Sequence, residues 1–101
     1  MTEFGLIKAR AEQGDVASQY YLGLRYYKGD GVKQDYAKAA LWWAKAAGQG
    51  EATAQFRLGV MYAQGEGVAQ NNTVALHLFY NALGNSHPDA RYWIQKLTKT
   101  P

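Results

Sequence analysis

The residues best suited to recognition form one short row. Tyr21, Arg25 and Lys28 lie at i, i+4 and i+7, the spacing of one helical face. Thirty-six residues further on stand Arg57, Met61 and Gln64, and thirty-six beyond Arg57 stands Trp93. Aromatic, arginine and methionine side chains are the types that dominate binding hot spots. Two arginines flanked by Tyr and Trp suit an extended peptide carrying a carboxylate, met by bidentate pairing and by stacking. The competing reading is an ordinary solvated face, with Tyr21 and Trp93 filling gaps between neighbouring elements.

Chemistry of other kinds finds little support. Gly29-Asp30-Gly31 resembles the opening of a phosphate loop, but such a loop follows a strand and carries a third glycine. Here a helical pattern precedes it, and Gly65-Glu66-Gly67 repeats it. Both read as a helix end followed by a turn at positive φ. Asp30 and Asp35 lack the spacing of a calcium loop. The two histidines, His77 and His87, fall on different elements, and His77 reads as a partly exposed helix position. No carboxylate pair recurs at i, i+3 or i, i+4 on one face. Ser18 and Ser86 have no base and orienter beside them. Cysteine is absent, which excludes a disulfide framework, a thiolate zinc site and a cysteine nucleophile. The expectation is a chain with no catalytic residues, no metal site and no cofactor.

The elements that carry the row come from a repeat. Residues 14–49 laid over 50–85 give 12 identities, where roughly two or three would arise from ordinary residue usage. Among them are Gly14/Gly50, Gln19/Gln55, Leu22/Leu58, Gly23/Gly59, Tyr26/Tyr62, Gln34/Gln70 and Gly48/Gly84. Each unit holds two apolar-periodic segments. The first, Asp15 to Lys28, aligns Ser18, Leu22 and Tyr26 on one face, echoed by Ala54, Leu58 and Tyr62. The second, Tyr36 to Ala47, aligns Ala39, Trp43, Ala46 and Ala47, echoed by Ala75, Phe79, Ala82 and Leu83. Asp35 and either Asn71 or Asn72 read as N-caps, and Gly48 and Gly84 as C-terminal glycines.

Glycine inside a helix costs about 1 kcal/mol against alanine. Gly23 and Gly59 are therefore expected to make room for Trp43 and Phe79 of the paired helix. Residues 3–13 align with a second helix and 87–98 with a first. His87 reads as a cap residue in place of the unit's leading glycine, with Pro88 near the first helical position.

A 36-residue period predicts an all-α superhelical solenoid of helix-turn-helix repeats with about six helices. Its units are a partial N-terminal helix (1–13), repeat one (14–49), repeat two (50–85) and a C-terminal capping helix (86–101). First helices line the concave face, which is where the row from Tyr21 to Trp93 is expected.

The residues Gln13-Gly14-Asp15, Gln19-Tyr20-Tyr21-Leu22-Gly23, Tyr26, Gly29-x-Gly31-Val32, Gln34-Asp35-Tyr36-x-Lys38-Ala39 and Trp43-Ala44-Lys45-Ala46-Ala47 resemble the Sel1-like repeat family, relatives of the tetratricopeptide repeats. The second copy departs at Asn71-Asn72-Thr73-Val74 and at Leu83. The resemblance implies an α/α superhelix and a role as a non-catalytic adaptor that binds a partner protein or peptide. Some cysteine-rich members are linked to β-lactam binding or hydrolysis. A small enzyme of that β-lactam or cell-wall kind is therefore the alternative, with a small inhibitor protein beside it. The missing cysteines count against the enzyme.

Charge and hydropathy bound the partners. Eleven basic against eight acidic residues leave +3, with no polybasic run, and half of the aromatics fall at buried phases. A nucleic-acid surface is accordingly the weaker reading. No stretch approaches a membrane span. An array opening on a second helix and closing on a first leaves half-hairpins exposed, from which a homodimer through a repeat end is an expectation. Charges at Glu3, Lys8, Arg10, Glu12 and Asp15 exclude a signal peptide in residues 1–15. The expected location is cytoplasmic for a complete chain, and periplasmic or secreted if a leader has been removed.

Overall fold

The computed structural model describes residues 2–99; Met1, Thr100 and Pro101 lie outside them, the last two within the expected C-terminal unit. Six helices follow in order: α1 (Glu3–Glu12), α2 (Val16–Lys28), α3 (Tyr36–Gly48), α4 (Ala52–Gln64), α5 (Asn72–Gly84) and α6 (Ala90–Thr98). No strand occurs among the described residues. Each helix packs chiefly on its neighbours in the chain, α1 on α2, α2 on α3, and so on to α6. That makes a one-dimensional stack, elongated to 53 × 24 × 16 Å.

Helices α2 to α5 start where polar side chains accept the orphan N–H groups of a first turn. The Asp15 carboxylate accepts from the Ser18 N–H at 3.0 Å, Glu51 from Ala54 at 2.6 Å, Asp35 from Lys38 at 3.0 Å and Asn71 from Val74 at 3.1 Å. Asn71 is thus the cap of α5, and Asn72 is its first helical residue. Hydrogen bonds from Ser18, its hydroxyl first and its N–H second, hold the Asp15 carboxyl below its usual range. The helices α2 and α4 end at Gly29 and Gly65, both left-handed, each N–H donating to a carbonyl of the last turn.

The turns from second to first helices correct two expectations. Gly48 and Gly84 are the last residues of α3 and α5 and have no positive φ. The left-handed residue comes two positions later, at Gly14, Gly50 and Ser86 (φ 96°, 89° and 70°). Ser86, not His87, therefore replaces the leading glycine. His87 takes the place of the capping acids Asp15 and Glu51, and its ring stacks on Phe56 with centroids 4.5 Å apart. Pro88 precedes the helix rather than opening it. His87 and Pro88 first accept from Ala90 and Arg91 in a tighter turn, and α6 begins at Ala90. Asp89, its N-cap, makes no side-chain bond.

The core is small residues around two large knobs. Trp43 and Phe79 are 1% and 0% exposed, embedded among Leu22, Ala39, Ala46, Ala54, Ala75, Ala82 and Ala90. A Cβ on Gly23 would stand 2.5 Å from the Trp43 ring, and one on Gly59 would stand 2.7 Å from the Phe79 ring. The two glycines are therefore sockets, as the repeat implies. Tyr62 and Leu83 are only half-buried, unlike their equivalents Tyr26 and Ala47.

Amide side chains knit successive hairpins. Buried Gln19 donates to the Ala11 carbonyl at 3.2 Å and buried Gln55 to that of Ala47 at 3.1 Å. Their own oxygens accept from Gln49 at 2.9 Å and from Asn85 at 3.1 Å. A buried amide so satisfied loses little on desolvation, which is how a polar residue recurs at a core position.

Candidate functional site

The seven residues of the predicted row do not share one surface. Tyr21 is 55% exposed, and Lys28 and Gln64 are exposed in the last turns of α2 and α4. Met61, however, is 1% exposed, so it does not continue an exposed row. Arg25 is spent locally: it pairs with Glu3 of α1 and lies 3.9 Å from the Asp30 carboxylate. Trp93 stacks on Phe79 at 5.6 Å, and Arg57 lies over the Trp43 ring at 5.8 Å. The reason is directional. Positions 57/93 and 25/61 point along the stack toward the preceding hairpin, while Tyr21 stays exposed beside the start of α4. Arg25 and Arg57 consequently serve different junctions and have no neighbour in common among the contacts described.

The structure assembles another set around Arg57. Tyr20 and Tyr27, seven residues apart on α2, face forward onto α3 and α4. The Arg57 Nε donates to the Tyr20 hydroxyl at 2.9 Å. The Tyr27 hydroxyl donates to the Glu66 carboxylate at 3.3 Å, and its ring stacks on Tyr36 at 4.7 Å and leans on Trp43 at 5.4 Å. Trp43 is itself fixed by donating its Nε1–H to the Tyr20 carbonyl at 3.0 Å.

These groups bound a cleft of about 120 Å³ lined by Tyr27, Trp43, Phe56, Arg57, Val60, Met61 and Glu66. Beyond Tyr20, a shallower cleft of about 440 Å³ runs between the starts of α2 and α4, with Tyr21, Val16, Glu51 and Thr53 on its walls. The Tyr20–Arg57 bond joins a lining residue of each.

The electrostatics of the smaller cleft are two-sided. Arg57 brings a positive charge and Glu66 a negative one to the same aromatic-walled space. Burial, then the Glu66 charge, then Tyr36 push the Tyr27 phenol above its ordinary value, with Arg57 acting against them. Arg57 uses Nε on Tyr20, and its two Nη groups have no hydrogen-bond or ion-pair partner among the described residues. A guanidinium steadied by a phenol and an indole, with its end-on donor pair open, is prepared for a carboxylate or phosphate. No group of three His, Asp or Glu side chains that could hold a metal occurs among the described residues.

Sequence reasoning passed over Tyr20, Tyr27, Phe56, Val60 and Glu66. One signal was available: Tyr20 and Tyr27 become Phe56 and Ala63 in the next copy, so they vary as freely as the row that was chosen.

The fold defines an α/α repeat solenoid of stacked helical hairpins. The Sel1 repeat model matches residues 16–51 and 52–87, and the chain belongs to that family. Its structure is similar to that of a Sel1 repeat protein from Oxalobacter formigenes, with 38% identity, a TM-score of 0.88 and coverage of 90% of this chain and 26% of that one. It is likewise similar to a protective antigen of uropathogenic Escherichia coli strains, with 39% identity, a TM-score of 0.85 and coverage of 89% and 19%. Helicobacter pylori cysteine rich protein B follows, with 29% identity, a TM-score of 0.84 and coverage of 89% and 68%. The chain thus spans about a fifth to a quarter of the first two and two thirds of the third. No curated protein matches it. Sel1 repeat proteins are generally non-catalytic protein-interaction modules. No helix of the described residues is long and apolar enough to cross a membrane.

Proposed function

We propose that this chain binds a segment of a partner protein in the groove between the first helices of its two repeats, α2 and α4. The observation that carries the reading is the cleft around Arg57. It is the place where positions that differ between copies, Tyr20/Phe56, Tyr27/Ala63 and Arg57/Trp93, gather beside an invariant scaffold of Gly23/Gly59 sockets. Repeated positions hold the stack, and positions free to differ can be spent on recognition. The contact types agree with that use: Tyr and Arg are enriched at interface hot spots, and the aromatic walls offer stacking area at low entropic cost. Tyr21, at the open end of the groove, extends the surface, while Lys28 and Gln64 lie at the last turns of its two helices.

The test is selection of random peptides against the immobilised protein. Enrichment of a sequence class by the wild type, lost in the double variant Tyr27→Ala plus Val60→Glu with helical circular dichroism retained, is the expected result. Enrichment that survives the double variant places binding elsewhere and rejects the groove. A dimer through a repeat end belongs to the same reading as a second use of the solenoid. It predicts twice the monomer mass in light scattering at high micromolar concentration.

A further inference from the structure

We infer that the cleft between α2 and α4 receives the last residue of a partner chain, its free terminal carboxylate on Arg57 and its aliphatic side chain on the cleft floor. The inference rests on the groove reading and names its occupant.

Three features of the cleft select that occupant. The first is charge. With Nε committed to the Tyr20 hydroxyl and Cζ 5.8 Å from the centre of the Trp43 ring, Arg57 keeps its Nη1 and Nη2 groups unpaired among the described residues, a bidentate seat for one carboxylate. The second is the acid in the same lining. Glu66, which accepts from the Tyr27 hydroxyl, is an acceptor and repels a second negative charge, so the occupant brings a donor to that side. The third is volume. About 120 Å³ is somewhat less than the 150 Å³ or so that holds a benzene ring, and the floor is Val60, Met61, Phe56 and Trp43. A branched aliphatic side chain fits where an indole does not.

One chemical unit carries all three groups on a single Cα: a carboxylate, an N–H and an aliphatic side chain. That unit is the C-terminal residue of a polypeptide. An internal Glu or Asp offers the carboxylate alone, with no donor on the same side chain for Glu66. The site is single. At the next junction Trp93 stands where Arg57 does and Ala63 where Tyr27 does, so neither the cation nor the phenol recurs. One terminus per domain is therefore expected.

The experiment uses hexapeptides varied at their last two positions, each made as the free acid and as the C-terminal amide, and read by fluorescence anisotropy against the whole chain. A third set carries an internal Glu with an amidated end. The expected result is binding of free acids ending in Val, Leu or Ile, weakened about tenfold or more by amidation, as loss of a charge-assisted pair implies. Arg57→Lys, which keeps the charge but not the bidentate edge, weakens the free acids alone, and Glu66→Gln lets the internal-Glu set bind more tightly. Equal binding of acids and amides overturns the inference while leaving the groove reading standing. Stronger binding of the internal-Glu set does the same. Binding by none of the three sets rejects both.

Discussion

The junctions that α4 and α6 make with the hairpins before them are built on one plan and filled in opposite ways. In each, an aromatic knob of the second helix enters a glycine socket of the first, Trp43 at Gly23 and Phe79 at Gly59. In each, the next first helix lays one side chain over that knob from the equivalent position. At the α2/α3/α4 junction the side chain is Arg57, and at the α4/α5/α6 junction it is Trp93. An indole against a phenyl ring, with His87 stacked on Phe56 beside it, fills the second junction with apolar surface. A guanidinium against an indole does not fill the first. It leaves a cleft and brings Tyr20, Tyr27 and Glu66 in as its polar partners. The lesson is that knob and socket make the stack, and one position in 36 decides whether a junction is a seam or a site.

The comparison can be broken most severely at the knobs. Trp43→Ala and Phe79→Ala should each cost about 3–5 kcal/mol in urea unfolding, because both side chains are fully buried. Equal losses would show the two junctions to be equally close-packed; a clearly smaller loss for Trp43→Ala would show the cleft side already loosened. Next come the sockets. Gly23→Ala and Gly59→Ala should destabilise by about 1–3 kcal/mol, Gly23→Ala the more, since its Cβ would approach the knob to 2.5 Å rather than 2.7 Å. The reverse order in thermal melts would mean that Trp43 yields more easily than Phe79.

Smaller effects sharpen the polar side of the contrast. Tyr20→Phe removes only the hydroxyl that Arg57 Nε reaches, for about 0.5–1.5 kcal/mol of stability, and it should weaken peptide binding by freeing Arg57. Arg57→Trp copies the second junction into the first. Because it exchanges a half-buried cation for apolar contact, its stability should stay within about 1 kcal/mol of wild type while peptide binding is lost. A large destabilisation would show that the first junction cannot close.

The pH dependence has a definite sign. Tyr27 has its phenol raised above the ordinary 10.0. The folded state therefore holds that proton more tightly than the unfolded state. Its contribution is fully present below pH 10 and is lost as pH rises through the folded value. The stability advantage of wild type over Tyr27→Phe should shrink above pH 10 in urea titrations and hold steady below it.

Much of this architecture was legible because periodicity is a property of the chain itself. The sockets Gly23 and Gly59 and the knobs Trp43 and Phe79 recur at a fixed interval, as does the cap Asp35 with either Asn71 or Asn72. Recurrence removes the ambiguity that a single glycine or tryptophan would leave. The turn residues were harder. Gly48 and Gly14 both sit near a helix end, and only backbone dihedrals separate the glycine that must be left-handed from the one that is merely small.

The site was legible by type and, through Arg57, Met61 and Tyr21, in part by position. Tyr and Arg on first helices were the right kinds of residue, yet Arg25, two positions from Tyr27, pairs with Glu3 of α1 instead. On a helix one residue is about 100°, enough to turn a side chain from the groove to the neighbouring hairpin. Met61, the equivalent of Arg25 one repeat on, is buried against the cleft instead of exposed.

What the amino-acid order determined by itself was the unit: two helices, their caps, and a knob that needs a socket, all set by interactions within 36 residues. What the tertiary structure alone decided was the rotation of each hairpin against the next. That rotation brings Arg57 of one repeat onto Tyr20 and Trp43 of the other, 37 and 14 residues away, and no local propensity encodes it. It emerges only when the stacked faces minimise their exposed apolar surface together.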